Sequence, residues 1–215
     1  MSNDLIYTFW GIAGYLLGSI PFGLVLCYLA GYGDIRKIGS GNIGATNVLR
    51  TGNKLLALLT LLLDAFKAGI IAWLAYKFAP NKPIIFLGLV SNLNNLASLV
   101  AGSMAIVGHN FPIWLKFKGG KGVASAFGFI LITQPLIALS ALAIWLIMAF
   151  TFKYSSLAAI VAALATPIIT FFYASPVYTI FYSALVILVL ARHHANIVRL
   201  IKGEESKIKL KKQEK

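Results

Sequence analysis

Between Val123 and Ala191 the chain carries one charged residue, Lys153, and otherwise runs almost without interruption through apolar side chains. Backbone polar groups inside hydrocarbon must be satisfied within their own segment, so runs of this length demand membrane-spanning helices. A hydrophobic share of 59% and a mean hydropathy of +0.84 extend that reading to the chain as a whole. The net charge of +13 would suit nucleic acid, but the basic residues lie in connections between apolar runs. That is where the positive-inside rule and anionic headgroups put them, so membrane lipid is the expected partner and nucleic acid is not. The lone cysteine, Cys27, sits in an apolar run and builds no disulfide framework. Met-Ser-Asn-Asp has no basic n-region, and the apolar run after it is too long for a cleaved signal; an uncleaved first span with Asp4 outside is expected.

Seven spans follow. The first covers about Leu5 to Tyr32, with a kink or close packing at Gly18-Ser-Ile-Pro-Phe-Gly23; the second covers Leu55 to Phe78, and the third Ile84 to Val107 after a turn at Asn81-Lys82-Pro83. Lys121, Lys153 and Arg192 all belong on the positive side, so an even number of passes separates Lys121 from Arg192. With breaks at Thr133-Gln134-Pro135 and Ser175-Pro176, these passes are 123–132, 135–152, 155–173 and 177–191. The expectation is an all-α integral membrane protein, a seven-span bundle with the N-terminus out and the C-terminus in. One helix, after the glycine-rich loop, is short. A single transmembrane catalytic domain would occupy 1–206, and 207–215 would be a basic cytoplasmic tail.

Three polar segments interrupt this pattern. Asp34 to Lys54 is too long for a mere connection and contains hydroxyls, carboxamides, glycines and Arg50, the donor types that orient phosphate. Gly108 to Gly122 holds three lysines, His109 and four glycines, and no acid. Glycines let successive N–H groups converge, and a helix opening at Val123 would add its N-terminal partial charge. The stretch therefore reads either as a phosphate cradle around Lys121 or as a basic loop held at the cytoplasmic face by its charge. The Walker frame fails, because Gly122 stands where Ser or Thr would hold magnesium. In the third segment, His193, Asn196 and Leu200 share one face of a helix expected to continue from the last span. Asp64 and Lys67, three apart in the second span, can pair, as a packing device or as support beneath an active site. The Ser91–Asn95 cluster suggests interhelical hydrogen bonds.

With acids so scarce in these segments, carboxylate-pair chemistry and a metal centre are not expected, nor is a cofactor. A basic, donor-rich pocket at the face of an apolar bundle suits an anionic, phosphorylated substrate meeting an acyl chain. A transporter for a phosphorylated solute would want similar loops, but the three segments are mutually dissimilar and show no internal repeat.

Ser40-Gly-Asn42-Ile-Gly44-Ala-Thr46-Asn47, Gly108-His109-x-Phe111-Pro112…Phe117-x-Gly119-Gly120-Lys121-Gly122 and Arg192-His193-x-x-Asn196-Ile-x-Arg199-Leu200…Gly203-Glu204 resemble, in order, three signature segments. These belong to the bacterial membrane acyl-phosphate–glycerol-3-phosphate acyltransferases (the PlsY family). Gly18–Gly23 and Asp64-x-x-Lys67 resemble that family's first and second spans. The resemblance implies a transferase that moves a fatty acyl group from acyl phosphate to the 1-hydroxyl of sn-glycerol 3-phosphate. The products are lysophosphatidic acid and phosphate, in the first acylation of phospholipid synthesis. It implies an inner-membrane location, an active site facing the cytosol and no obligate protein partner. By matching positions, His193, Asn196 and Ser40 are implied in catalysis. Asn42, Asn47, Arg50, His109, Gly119, Gly120, Lys121 and Gly122 are implied in substrate binding, and Glu204 in structural support.

Overall fold

The computed structural model describes residues 2–208. The tail expected at 207–215 therefore lies, from residue 209 on, outside the described residues. The chain divides into two compact units, one through Pro135 and one from Leu136.

In the first unit, α1 (Asn3–Gly18) and α2 (Phe22–Leu29) form one broken span. The break is local chemistry: Pro21 has no N–H to continue the ladder, and Ser19 Oγ donates to Tyr15 O at 2.7 Å. α4 (Lys54–Phe78), reached through the one-turn α3 (Ala45–Val48), starts on Asn53, whose side chain accepts from Leu56 N–H at 3.0 Å. α5 (Leu93–Asn110) returns the chain. A Cβ on Gly14 or Gly18 of α1 would strike the carbonyl oxygen of Ala101 or Ala105 on α5, so these two helices pack backbone against backbone. The short α6 (Val123–Thr133) packs on α4 in the same way, with Gly128 against Ala65 O.

The third span departs from expectation. Pro83–Phe86 (β1) and Leu89–Asn92 (β2) pair antiparallel, with Phe86 opposite Leu89. Between them Leu87 and Gly88 take φ of 51° and 78°, both positive, as a two-residue hairpin turn matched to strand twist requires. Ile84, Ile85 and Val90 favour strand, and Pro83 sits at its first position. The all-α expectation is corrected by this hairpin. Helix begins only at Leu93, so the asparagine cluster lies at a helix entry, not mid-span, with Asn94 Oδ1 accepting from Asn95 N–H at 2.9 Å.

The second unit contains α7 (Pro135–Phe152), α8 (Ser155–Tyr173), α9 (Pro176–Arg192) and α10 (His194–Ile201). The helix expected to run on from the last span instead bends by 61° at His193. There φ and ψ are −101° and 7°, and the His193 N–H is shared between the carbonyls of Val189 and Leu190, each at 3.0 Å. By length and apolar character α1–α2, α4, α5, α7 and α8 can each cross a membrane; α9 with α10 qualifies as a bent pair, and α6 is shorter. The chain is a mostly helical, multi-pass membrane protein.

Candidate active site

The segment between α2 and α4 is folded onto the bundle. Ile35 and Val48 are buried with Leu24, Cys27 and Ala57 in one apolar cluster, which fixes the loop as a layer. Asp34 takes Arg36 in a 2.6 Å ion pair and accepts from the Arg36 N–H at 3.0 Å. The Arg36 hydrogen bonds hold the Asp34 carboxyl at about 2, well below its ordinary value. Asn47 is almost fully buried. Its Oδ1 accepts from Ser40 N–H at 3.1 Å and Ser40 Oγ at 3.3 Å, while its Nδ2 donates to Ile35 O at 2.8 Å. Asn47 is therefore a brace that sets Ser40, which is itself exposed. Arg50, also exposed, crosses Gly39: a Cβ there would lie 2.5 Å from Arg50 Cδ. Ser40 and Arg50 thus meet around one glycine. Asn42 closes on its own loop, Oδ1 accepting from Ile43 N–H at 2.9 Å.

The glycine-rich loop lies at the same end of this unit, because Leu115 packs on the cluster that contains Ile35 and Val48. Tyr15 Oη anchors its start, donating to Phe111 O at 2.8 Å. The expectation that Gly119 and Gly120 aim their N–H groups at an anion needs correction: they donate to Asn110 O at 3.1 Å and His109 O at 3.0 Å. Those glycines serve close approach instead. A Cβ on Gly119 would strike His109 O and Pro112 Cδ, and one on Gly120 would strike His109 Nε2. Lys121 follows, half-buried, and Gly122 at φ 80° turns the chain into α6. The first α6 ladder bond runs from Ala126 N–H to Gly122 O, so the N–H groups of Val123, Ala124 and Ser125 stand ahead of the ladder. Beside them are buried polar atoms without a partner among the described residues, both amide atoms of Asn110 and the Ser125 hydroxyl.

Beneath the loop, Lys67 is buried with Asp64 and His109. Its Nζ donates to Asp64 Oδ1 at 2.8 Å and Ile20 O at 2.9 Å and lies 2.9 Å from His109 Nδ1, which is itself 3.5 Å from Asp64 Oδ1. The Asp64–Lys67 pairing expected from spacing is present; its extension to His109 and Ile20 was not legible, since both are remote in sequence.

In the second unit His193 and Asn196 are buried. His193 Nδ1 lies 2.8 Å from Val189 O. A carbonyl only accepts, so Nδ1 carries the proton and Nε2 of the neutral ring carries the lone pair. Asn196 Nδ2 donates to Glu205 Oε1 at 2.8 Å; Ser156 Oγ donates to the same oxygen at 2.9 Å, and Arg199 Nε to Oε2 at 2.7 Å. Burial works to raise the Glu205 carboxyl, but hydrogen bonds from Asn196, Arg199 and Ser156 outweigh it and hold the group below its ordinary value. The support expected of Glu204 therefore belongs to Glu205, while Glu204 is exposed. Two adjacent glutamates look alike in sequence, and the turn at Gly203 (φ 73°) selects the second. No group of three His, Cys, Asp or Glu side chains suited to a metal occurs among the described residues.

A family model described as glycerol-3-phosphate acyltransferase matches residues 8–203. The glycerol-3-phosphate acyltransferase of Rhodospirillum rubrum is 53% identical over 208 residues, spanning 97% of this chain and 94% of the relative. That of Maricaulis maris is 51% identical over 214 residues, spanning 100% and 93%. The crystal structure of PlsY, an integral membrane glycerol 3-phosphate acyltransferase, in its glycerol 3-phosphate form superposes with a TM-score of 0.82 at 36% identity, covering 94% of this chain and 96% of that one. The same protein in its lysophosphatidic acid form gives 0.80 at 36% identity, covering 94% of each chain. From the broken first span to the turn after α10, the chain belongs to the glycerol-3-phosphate acyltransferase family of integral membrane proteins.

Proposed function

We propose that this protein transfers a fatty acyl group from acyl phosphate to the 1-hydroxyl of sn-glycerol 3-phosphate, releasing lysophosphatidic acid and phosphate. The observation that carries this reading is the meeting of the Ser40–Arg50 segment and the Lys121 loop on one apolar cluster, in a chain of this family. Two anionic groups must be held and an oxyanion stabilised. Acyl phosphate is a mixed anhydride with a good leaving group, so orientation and fixed donors suffice without a covalent acyl-enzyme. Arg50 and Ser40 supply a charged fork and a hydroxyl. Lys121 and the leading N–H groups of α6 supply the donors for the glycerol phosphate. In this reading Asn42, Asn47, His109, Gly119, Gly120 and Gly122 shape these two segments around the substrates. His193 and Asn196 keep the catalytic roles that their positions in the family pattern imply: the Nε2 lone pair of a neutral His193 suits a proton acceptor, and the Asn196 amide suits an oxyanion donor.

Residues 1–206 work in this account as one catalytic domain with seven spans, N-terminus outside and C-terminus inside, in the bacterial inner membrane. The basic segments then face the cytosol, where glycerol 3-phosphate is available. Purified protein in liposomes, given labelled glycerol 3-phosphate and acyl phosphate, should yield labelled lysophosphatidic acid. Accumulation of unmodified glycerol 3-phosphate inside the vesicles without acyl donor would favour a transporter and overturn the reading.

A further inference from the structure

The reaction as proposed leaves unused a lysine and an aspartate that are among the most deeply buried of the described residues. Lys67 and Asp64 have side chains 1% and 3% exposed, within α4, where an isolated ion would be costly. All the contacts of the Lys67 ammonium converge from different elements. Ile20 O comes from the α1–α2 break, Asp64 Oδ1 from one turn back on α4, and His109 Nδ1 from the end of α5. The ring of Phe22 lies 5.7 Å from the same nitrogen. An ammonium has three N–H donors and no acceptor, so each of these three contacts takes one proton. Asp64 Oδ1 lies 2.8 Å from that nitrogen as its ion-pair partner.

Asp64 Oδ1 also faces His109 Nδ1 but lies 3.5 Å away, beyond the usual hydrogen-bond range, so the nearer Lys67 Nζ at 2.9 Å makes Nδ1 an acceptor. The neutral ring must then carry its proton on Nε2, a tautomer assigned here from its partner. The Nε2 edge is the one that meets Gly120, where any Cβ would collide. The same residue's carbonyl receives the Gly120 N–H at 3.0 Å. His109 is 4% exposed, so its ring is a wedge between Lys67 and the loop, not a group reaching into solvent.

We infer that Asp64, Lys67 and His109 form a buried positioning relay, in which Lys67 fixes the His109 tautomer and ring and His109 in turn sets the Gly119–Gly122 loop that presents Lys121 to substrate. None of the three need touch substrate. The relay also ties the break in the first span to the loop, because Ile20 O shares the same ammonium. For its kinetic consequence the relay rests on the glycerol 3-phosphate reading of the loop; for its tautomer it does not.

The test uses the full chain in detergent or nanodiscs with nitrogen-15 histidine, the His109 resonances being identified by their loss in His109→Gln. In the wild-type protein at pH 7, Nε2 should be the protonated nitrogen and Nδ1 the bare one. The charge-neutral double variant Asp64→Asn/Lys67→Met should move the proton onto Nδ1 or mix the two forms. It should also raise the KM for glycerol 3-phosphate about tenfold, the scale of one lost charge-assisted contact, with kcat within about twofold. A protonated Nδ1 in the wild type would overturn the relay outright, even if the double variant failed to fold. A shifted tautomer with unchanged KM would reduce the network to packing. A raised KM with the tautomer unmoved would show that Lys67 does not act through His109. Absence of any acyl transfer by the wild type would count against the proposed function, while its tautomer would still decide the relay.

Discussion

Replacing Glu205 by alanine removes the acceptor for three donors at once, and the structure gives a scale for the loss. Ser156 and Asn196 meet Oε1 at 2.9 and 2.8 Å from largely buried positions, and Arg199 meets Oε2 at 2.7 Å. Hydrogen bonds to an ionised group are worth about 1.5–3 kcal/mol each. The Arg199 side chain is 38% exposed, so screening brings its share down to about 0.2–1 kcal/mol. The contributions share one carboxylate and do not add fully, so about 2–4 kcal/mol is expected for Glu205→Ala. Glu205→Gln keeps an acceptor for Asn196 and Ser156 and should cost about 1 kcal/mol. Glu204→Ala should change stability by less than about 0.5 kcal/mol, as exposed sites usually do. The assay is thermal unfolding of the purified protein followed by tryptophan fluorescence, paired with kcat, which should fall in Glu205→Ala because Asn196 loses its anchor. The pH dependence has a definite sign. A folded-state pKa below the unfolded value means that the Glu205 contribution is present above the unfolded carboxyl value and is lost as pH falls through the lowered one. Glu205→Gln should therefore flatten the acid limb of the stability curve. If Glu204→Ala proved as damaging as Glu205→Ala, or Glu205→Ala left both readouts intact, the assignment of support to Glu205 would be wrong.

Gly120→Ala forces a methyl into His109 and should raise the KM for glycerol 3-phosphate more than it lowers kcat; Lys121→Ala should cost about tenfold to a hundredfold in kcat/KM, and wild-type KM in both folded variants would remove the loop from substrate binding. His193→Ala should lower kcat with KM nearly unchanged, if Nε2 acts on the attacking hydroxyl; a KM effect alone would make it a binding residue. A Lys153→Cys variant should be labelled by impermeant thiol reagents only from the cytosolic side, and labelling from outside would break the seven-span orientation.

Much of the helical plan was legible because hydropathy and proline speak locally. Pro135–Phe152 and Ser155–Tyr173 follow from the break at Gln134-Pro135 and from Lys153. The hairpin at 83–92 is not legible in the sequence because Ile84, Ile85, Phe86, Leu89 and Val90 are as apolar as a span, and the reversal is made by the positive φ of Leu87 and Gly88. The bend at His193 was missed for a related reason: the α9 and α10 sequences share a helical period across it, while one residue's dihedrals decide their direction. At the site, residue types were readable and their uses were not. Asn47 braces Ser40, and the Gly119 and Gly120 N–H groups close the loop on the end of α5; both contacts join residues of one motif and depend on how that segment folds back on itself, which residue type does not reveal. Asn110, unmarked in sequence, emerges only through the burial of its amide.

The central claim, acyl transfer from an acyl phosphate, is tested most directly by phosphate release. Purified protein should liberate inorganic phosphate from a long-chain acyl phosphate in step with lysophosphatidic acid formation, only when glycerol 3-phosphate is present. Acyl-CoA in its place should give no comparable turnover. Equal turnover with acyl-CoA, or phosphate release that ignores glycerol 3-phosphate, would contradict it.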